Sequence, residues 1–178
     1  MIWWAIVSLG TLTVVGAIAV VIGWWLPVEH RASGQIEIDA PPERIWAAMT
    51  DIEAFPAWRS DVTRVERVSA ADTVGWVEHG RHGRLTFAVE RAEPPRVLVT
   101  RIADRSLPFG GTWTYEIAPS DRGAVVTIIE HGEIYNPLFR FMSRFVFGYD
   151  GTMRAYLSAL AARVGGTEAD AALRTGRT

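Results

Sequence analysis

The sequence predicts an α+β domain. A seven-stranded antiparallel sheet curves around one long C-terminal helix, two short helices follow strand 1, and one transmembrane helix precedes the whole. Three observations predict it. Apolar and polar residues alternate in runs between Gly34 and Ile134, separated by turn residues. No helical period interrupts the later runs, so their connections are antiparallel. A helical stripe then closes the domain: Leu138, Met142, Phe145, Tyr149, Met153, Tyr156, Leu160 and Val164 recur at about 3.6 residues.

The first element is set by an absence of charge. Ile2 to Leu26 carries none, and it exceeds the roughly 20 residues that a bilayer requires. Trp3-Trp4 and Trp24-Trp25 bracket the run, about 30 Å apart along a helix, and tryptophan favours the membrane interface. The segment lacks a basic start and a small-residue cleavage site, which argues against a cleaved signal. Residues 1–26 therefore read as a single-pass anchor. Arg31 and Arg44 follow it and no basic residue precedes it, which places the globular domain on the cytoplasmic side. Ala19 and Gly23 have the small-xxx-small spacing of a weak helix-pairing signal.

Residues 27–33 read as a tether and 34–165 as the folded domain. "GQIEID" alternates as a strand, with Ile36 and Ile38 on one face. Pro41 and Pro42 fall in the first turn of a helix, where a missing N–H is harmless, and Glu43 suits its positive end. Ile45, Trp46 and Met49 form its buried stripe, and Ile52 and Phe55 serve the next short helix. Six strand runs follow, from "DVTRVERVS" at Asp61 to "GAVVTIIEHGEI" ending at Ile134. Ser120-Asp121-Arg122-Gly123 forms the last hairpin turn between them. Asn136 caps the long helix and Pro137 takes its first position, while Gly148 and Gly151 weaken its middle. Residues 166–178, small and polar, read as a disordered tail.

Composition removes several function classes. The 178-residue chain has net charge −2, which gives no field for nucleic acid. All 18 basic residues are arginine, and there is no cysteine, hence no disulfide, thiolate catalysis or cysteine-bound metal. Phosphate-loop, dinucleotide, nucleophile-elbow and zinc-protease motifs are missing. His79 and His82 flank a hairpin turn and His30 lies in the tether, so neither a metal nor a cofactor is expected.

Acids set among aromatic residues carry what chemistry there is. Alternation puts Trp76 and Glu78 on one face, Trp113, Tyr115 and Ile117 on one, and Val126, Ile128, Glu130 and Ile134 on one. If these faces look inward, they line an apolar pocket with Phe87 and with Met142, Phe145 and Tyr149 of the helix. A carboxylate there has a raised pKa and can hold a polar ligand group or move a proton. Glu130, Tyr115 and Glu78 are thus the acid/base candidates. The competing reading pairs Glu130 with an arginine such as Arg101, or turns it outward at a bulge. Trp113 and Tyr115 also fit plain core or pocket lining. Phe139 and Phe147 beside Arg140 and Arg144 fit either a lipid surface or packing against the sheet rim.

"IDAPPERIWAAMTDIEAFPAWRSDV", "RAEPPR", "FGGTWTYEI", "VTIIEHGEIYNPLFRFMSRFVFGY" and "YLSALAARV" together resemble the SRPBCC (START-like, helix-grip) superfamily, in particular its polyketide cyclase/dehydrase-like branch. The resemblance spans roughly 34–165 and implies an apolar-ligand pocket, with catalysis in some branches. The N-terminal span is an addition to the usual pattern. Three functions are expected from this. One is membrane-anchored binding or transport of a hydrophobic small molecule, such as a lipid, isoprenoid or polyketide-like compound. A second is a cyclase or dehydratase using the pocket acids. A third is a non-catalytic interaction module held at the membrane.

Overall fold

The domain is organised by one antiparallel sheet. The computed structural model describes residues 2–70, 73–165 and 174–176, and their side chains except at 2–9, 12, 69, 70, 73, 74, 147 and 174–176. The strands are β1 (Glu29–Ile38), β2 (Val62–Ala70), β3 (Thr73–Gly80), β4 (Gly83–Glu93), β5 (Val97–Ile102), β6 (Phe109–Ser120), β7 (Gly123–Ile134) and β8 (Arg174–Gly176). Their order across the sheet is β2-β3-β4-β5-β6-β7-β1-β8. The seven strands read from the alternation are present in chain order. The short β8 adds an edge to β1 from within the segment read as a disordered tail; the rest of that segment lies outside the described residues.

The tether is corrected. β1 begins at Glu29, and Glu29 to Ser33 pair with β7 from Glu133 to Ile129. The inner face of this half-strand carries His30, Ala32 and Gly34, which show no apolar alternation. Small residues are needed because the C-terminal helix lies close above. A Cβ at Gly34 would stand 2.9 Å from Sδ of Met153.

The helices are α1 (Ile2–Trp25), α2 (Pro42–Thr50), α3 (Phe55–Trp58) after a 3₁₀ turn at Ile52–Ala54, α4 (Pro137–Met142) and α5 (Gly151–Val164). Asn136 caps α4, its side-chain oxygen accepting from the Phe139 N–H at 3.1 Å. The single long helix of the sequence reading is two helices. A wide turn at Ser143–Phe147 follows α4, and Gly148 then adopts φ +74°, a left-handed conformation that favours glycine. The break changes which residues face the core. Met153, Tyr156, Leu160 and Val164 are buried, whereas Leu138 and Phe145 are exposed.

The core sits between the sheet's inner face and α2 and α5. Ile36, Ile38, Ile45, Val126, Ile128, Leu157 and Leu160 are almost wholly buried, each contributing roughly 1.5–3 kcal/mol of transfer free energy. A second cluster of Ile52, Phe55, Val62 and Trp76 continues it beneath β2 and β3.

The transmembrane expectation is also corrected. Among the described residues, no helix is long and apolar enough to cross a membrane. The Trp3-Trp4 side chains lie outside the described residues. The single-pass anchor and the cytoplasmic placement derived from it are withdrawn. The end of α1 is docked on the domain instead. Ala19 and Gly23 are buried where α1 meets α4. A Cβ at Gly23 would overlap the Pro137 carbonyl, and Arg140 Nη1 donates to the Leu26 carbonyl at 2.8 Å. Of the two phenylalanines beside Arg140 and Arg144, Phe139 is exposed; the Phe147 side chain lies outside the described residues.

Candidate functional site

Strand register brings the inward aromatics together. Thr100, Trp113, Glu130 and Ala32 form one cross-strand row, and Leu98, Tyr115, Ile128 and Gly34 form the next. Above the two rows stands Tyr156 of α5. Its ring centroid lies 6.0 Å from Trp113, 5.6 Å from Tyr115 and 5.6 Å from Trp58 at the end of α3. Four aromatic rings thus meet between the sheet and the helix. The Trp58 indole Nε1 is buried and has no hydrogen-bond partner among the described residues. Burial pushes the hydroxyls of Tyr115 and Tyr156 above the ordinary tyrosine range. Tyr115 is therefore a neutral hydrogen-bonding group rather than a base at neutral pH.

Beside this cage lies a buried ionic clasp. α3 ends in Arg59, whose Nη1 donates to Glu78 at 2.9 Å and whose Nη2 donates to Asp61 at 2.6 Å. Its guanidinium also lies 5.1 Å from the Phe55 ring and 5.4 Å from the Tyr156 ring. Trp76 Nε1 donates to the same Glu78 oxygen at 2.9 Å and stacks on Phe87 at 5.4 Å. Burial pushes Asp61 up, but the hydrogen bond and charge of Arg59 outweigh it and hold the carboxyl below its usual range. Burial likewise works against the Arg59 charge, and its two carboxylate partners more than reverse that effect. Glu78, 5 % exposed, is spent on these contacts. A buried carboxylate without a partner would be costly, and the clasp removes that cost. It does not leave Glu78 open for proton transfer.

Glu130 faces inward at the other end of the cage, directly across from Trp113. Arg101 pairs with Glu90 on the outer face and does not reach it. Its partner is His30, with Nε2 3.4 Å from Oε1. The Tyr149 ring stacks on the imidazole at 4.1 Å. Gly132 also lies against it, and a Cβ there would come within 2.2 Å of the ring. Both side chains keep partial access to solvent, 14 % for His30 and 19 % for Glu130.

The remaining expected pocket residues separate. Ile128 lies in the core, Met142 is half-buried at the end of α4, and Phe145 packs on Phe141 at 5.0 Å, away from the cage. The wide turn and Gly148 rotate Phe145 off the inner stripe. A polar cleft of about 270 Å³ is lined by Glu29, Arg31, Arg101, Thr112, His131 and Glu133 of the outer face together with His30, Gly111 and Gly132. None of the expected pocket residues lines it. Among the described residues no three His, Asp or Glu side chains converge as a metal would need.

A family model described as polyketide cyclase/dehydrase and lipid transport matches residues 29–165. The chain belongs to this polyketide cyclase/dehydrase family. The match starts at the first residue of β1 and ends at the C-cap of α5, so the corrected strand is part of the family domain. Among curated proteins, no match is found. Solved structures show the same fold at low identity. Truncated norcoclaurine synthase from Thalictrum flavum has a TM-score of 0.64 at 10% identity, covering 79% of this chain and 96% of that one. A START superfamily protein from Mycobacterium smegmatis gives 0.59 at 16%, covering 76% and 97%. The di-domain ARO/CYC StfQ of the steffimycin pathway gives 0.59 at 12%, covering 76% of this chain, which spans 50% of that one. These likenesses carry the START-like, helix-grip fold.

For this member of the polyketide cyclase/dehydrase family, sequence reasoning missed Trp58, Arg59 and His30. A signal existed for His30. It has the same parity as Ile36 and Ile38, so extending the strand backwards puts it on the inner face. For Arg59 the signal was indirect: an inward Glu78 needs a cation.

Proposed function

We propose that the domain binds a hydrophobic small molecule between the sheet and α5, against Trp58, Trp113, Tyr115 and Tyr156. One observation carries this reading. The Trp58 indole N–H is buried within an aromatic group and unpartnered, and an unsatisfied buried donor is uncommon unless something else satisfies it. Flat apolar surface with one donor suits a ligand that has an aromatic or extended apolar body and a carbonyl-type acceptor. Polyketide-like, isoprenoid and lipid compounds share that chemistry, and the family to which the chain belongs covers cyclases, dehydrases and lipid transport. The rings pack on one another, so binding requires them to part.

The test is purification of the full chain under native conditions, followed by mass spectrometry of what co-elutes. Titration of the recovered compound is read by tryptophan emission. An apolar acceptor-bearing compound that quenches the protein, and binds Trp58→Phe about tenfold more weakly, supports the reading. A compound that leaves the emission of Trp58 and Trp113 unchanged rejects it.

A second reading, a cyclase or dehydratase, has one observation in its favour. Of the three acid/base candidates, Glu78 is spent on Arg59 and Tyr115 is held neutral by burial. Glu130 remains, facing inward with Oε1 3.4 Å from His30 Nε2.

A further inference from the structure

We infer that His30 is a positioning residue that makes Glu130 a general base toward an acidic C–H of a ligand held against Trp113. The inference rests on the binding reading and adds an activity to it. Four observations support it. Glu130 and Trp113 are cross-strand partners on the inner face, so the carboxylate borders the aromatic cage. His30 Nε2 lies 3.4 Å from Oε1, which leaves the second oxygen for a ligand. The imidazole stacks on Tyr149 and occupies the space that a side chain at position 132 would need. Arg101, the cation that would have turned Glu130 into a plain surface ion pair, is committed to Glu90.

The surroundings fit an apolar β,γ-unsaturated carbonyl compound, whose C–H between the carbonyl and the double bond is acidic. The Glu130 carboxylate takes that proton, and the C–H electron pair moves into the conjugated dienolate. The same carboxyl group then returns the proton to the γ-carbon, the double bond moves into conjugation with the carbonyl, and the carboxylate is regenerated. The step is an isomerisation, so atoms and electrons balance without oxidant, reductant or second substrate. His30 holds the carboxylate in one orientation while it gains and loses the proton.

The pair is tested with 5-nitrobenzisoxazole, a flat aromatic carbon acid. Removal of its C3 proton forms the nitrile, breaks the N–O bond and releases the electron pair as a coloured phenolate. Binding of the probe is read separately by quenching of tryptophan emission. The expected result is quenching together with saturable turnover. Glu130→Gln lowers kcat about 100-fold while KM holds. His30→Ala lowers kcat about tenfold at unchanged KM, and His30→Gln, which keeps a polar group of similar reach beside the carboxylate, restores part of it. Quenching with a wild-type rate no greater than that of Glu130→Gln overturns the proton-transfer pair and leaves the binding reading standing. Equal kcat in wild type and His30→Ala overturns the role of His30. Absence of quenching removes the binding reading, and this inference with it.

Discussion

Arg59 and Glu78 meet inside the domain, with Nη1 2.9 Å from Oε1 and both side chains largely buried. The contact ties the end of α3 to the middle of β3, across a sequence separation of 19 residues. Glu78→Leu leaves a buried guanidinium with Asp61 alone. The expected loss is about 3 kcal/mol, the low end for breaking a buried pair because one partner stays. Urea unfolding measures it, and a loss within 0.5 kcal/mol would show that the clasp adds little. Replacing Arg59 by Met in the same chain should recover part of the loss.

Asp61, the partly buried partner of Arg59, contributes to the acid limb of stability. Its folded-state pKa is lowered, so the unfolded chain, with a value near 3.9, takes up the proton first. The stabilisation is complete above that value and is lost as pH falls through the folded pKa. As pH falls below about 4 the wild type should lose more stability than Asp61→Asn. Thermal melts across that window decide the matter, and parallel acid limbs for the two proteins would remove Asp61 as the cause.

Trp58→Phe separates binding from folding. The buried indole N–H has no partner to lose, so the change should alter stability by less than about 1 kcal/mol and can raise it. Ligand affinity should fall about tenfold, the scale of one hydrogen bond. A melting temperature well below wild type would show that Trp58 is mainly a packing residue.

Gly132→Ala tests the seat of His30. The new methyl would stand 2.2 Å from the imidazole Cε1 and 3.0 Å from Glu130 Oε1. The ring must leave Tyr149, at an expected loss of about 1–3 kcal/mol. In the double variant Gly132→Ala/His30→Ala the two losses should not add, since the clash needs both groups. Additive losses would place the damage elsewhere.

How legible the fold was depended on residue type. β6 and β7 were readable because bulky apolar residues recur at alternate positions, Trp113, Tyr115 and Ile117 in one and Val126, Ile128 and Ile134 in the other. The first half of β1 was not, since its inner positions are His30, Ala32 and Gly34. They are small or polar because Met153, Tyr149 and the neighbouring strands leave no room for more. Gly148 was visible as a weak point, but a propensity argument does not give the left-handed turn that moves Phe145 off the stripe. The inward parity of Glu78 and Glu130 was readable from alternation. Their partners were not, because Arg59 and His30 come from outside those strands and meet them only through tertiary contact.

The place of β1 between β7 and β8 also sets an order of assembly. β2 to β7 pair with their sequence neighbours, so each hairpin can form as soon as its second strand exists. β1 pairs with β7, joining Ile36 to Val126 and Gly34 to Ile128. That ring closure spans roughly half the chain, and its entropy must be met before any contact rewards it. During synthesis the first strand of the domain waits for the last long one. Until then Ile36, Ile38 and the residues of α5 that cover them have no inner surface to join. Pulse-labelled hydrogen exchange during refolding should find the β3–β4 amides protected before those of β1, and simultaneous protection would mean that the ring closes in the first step.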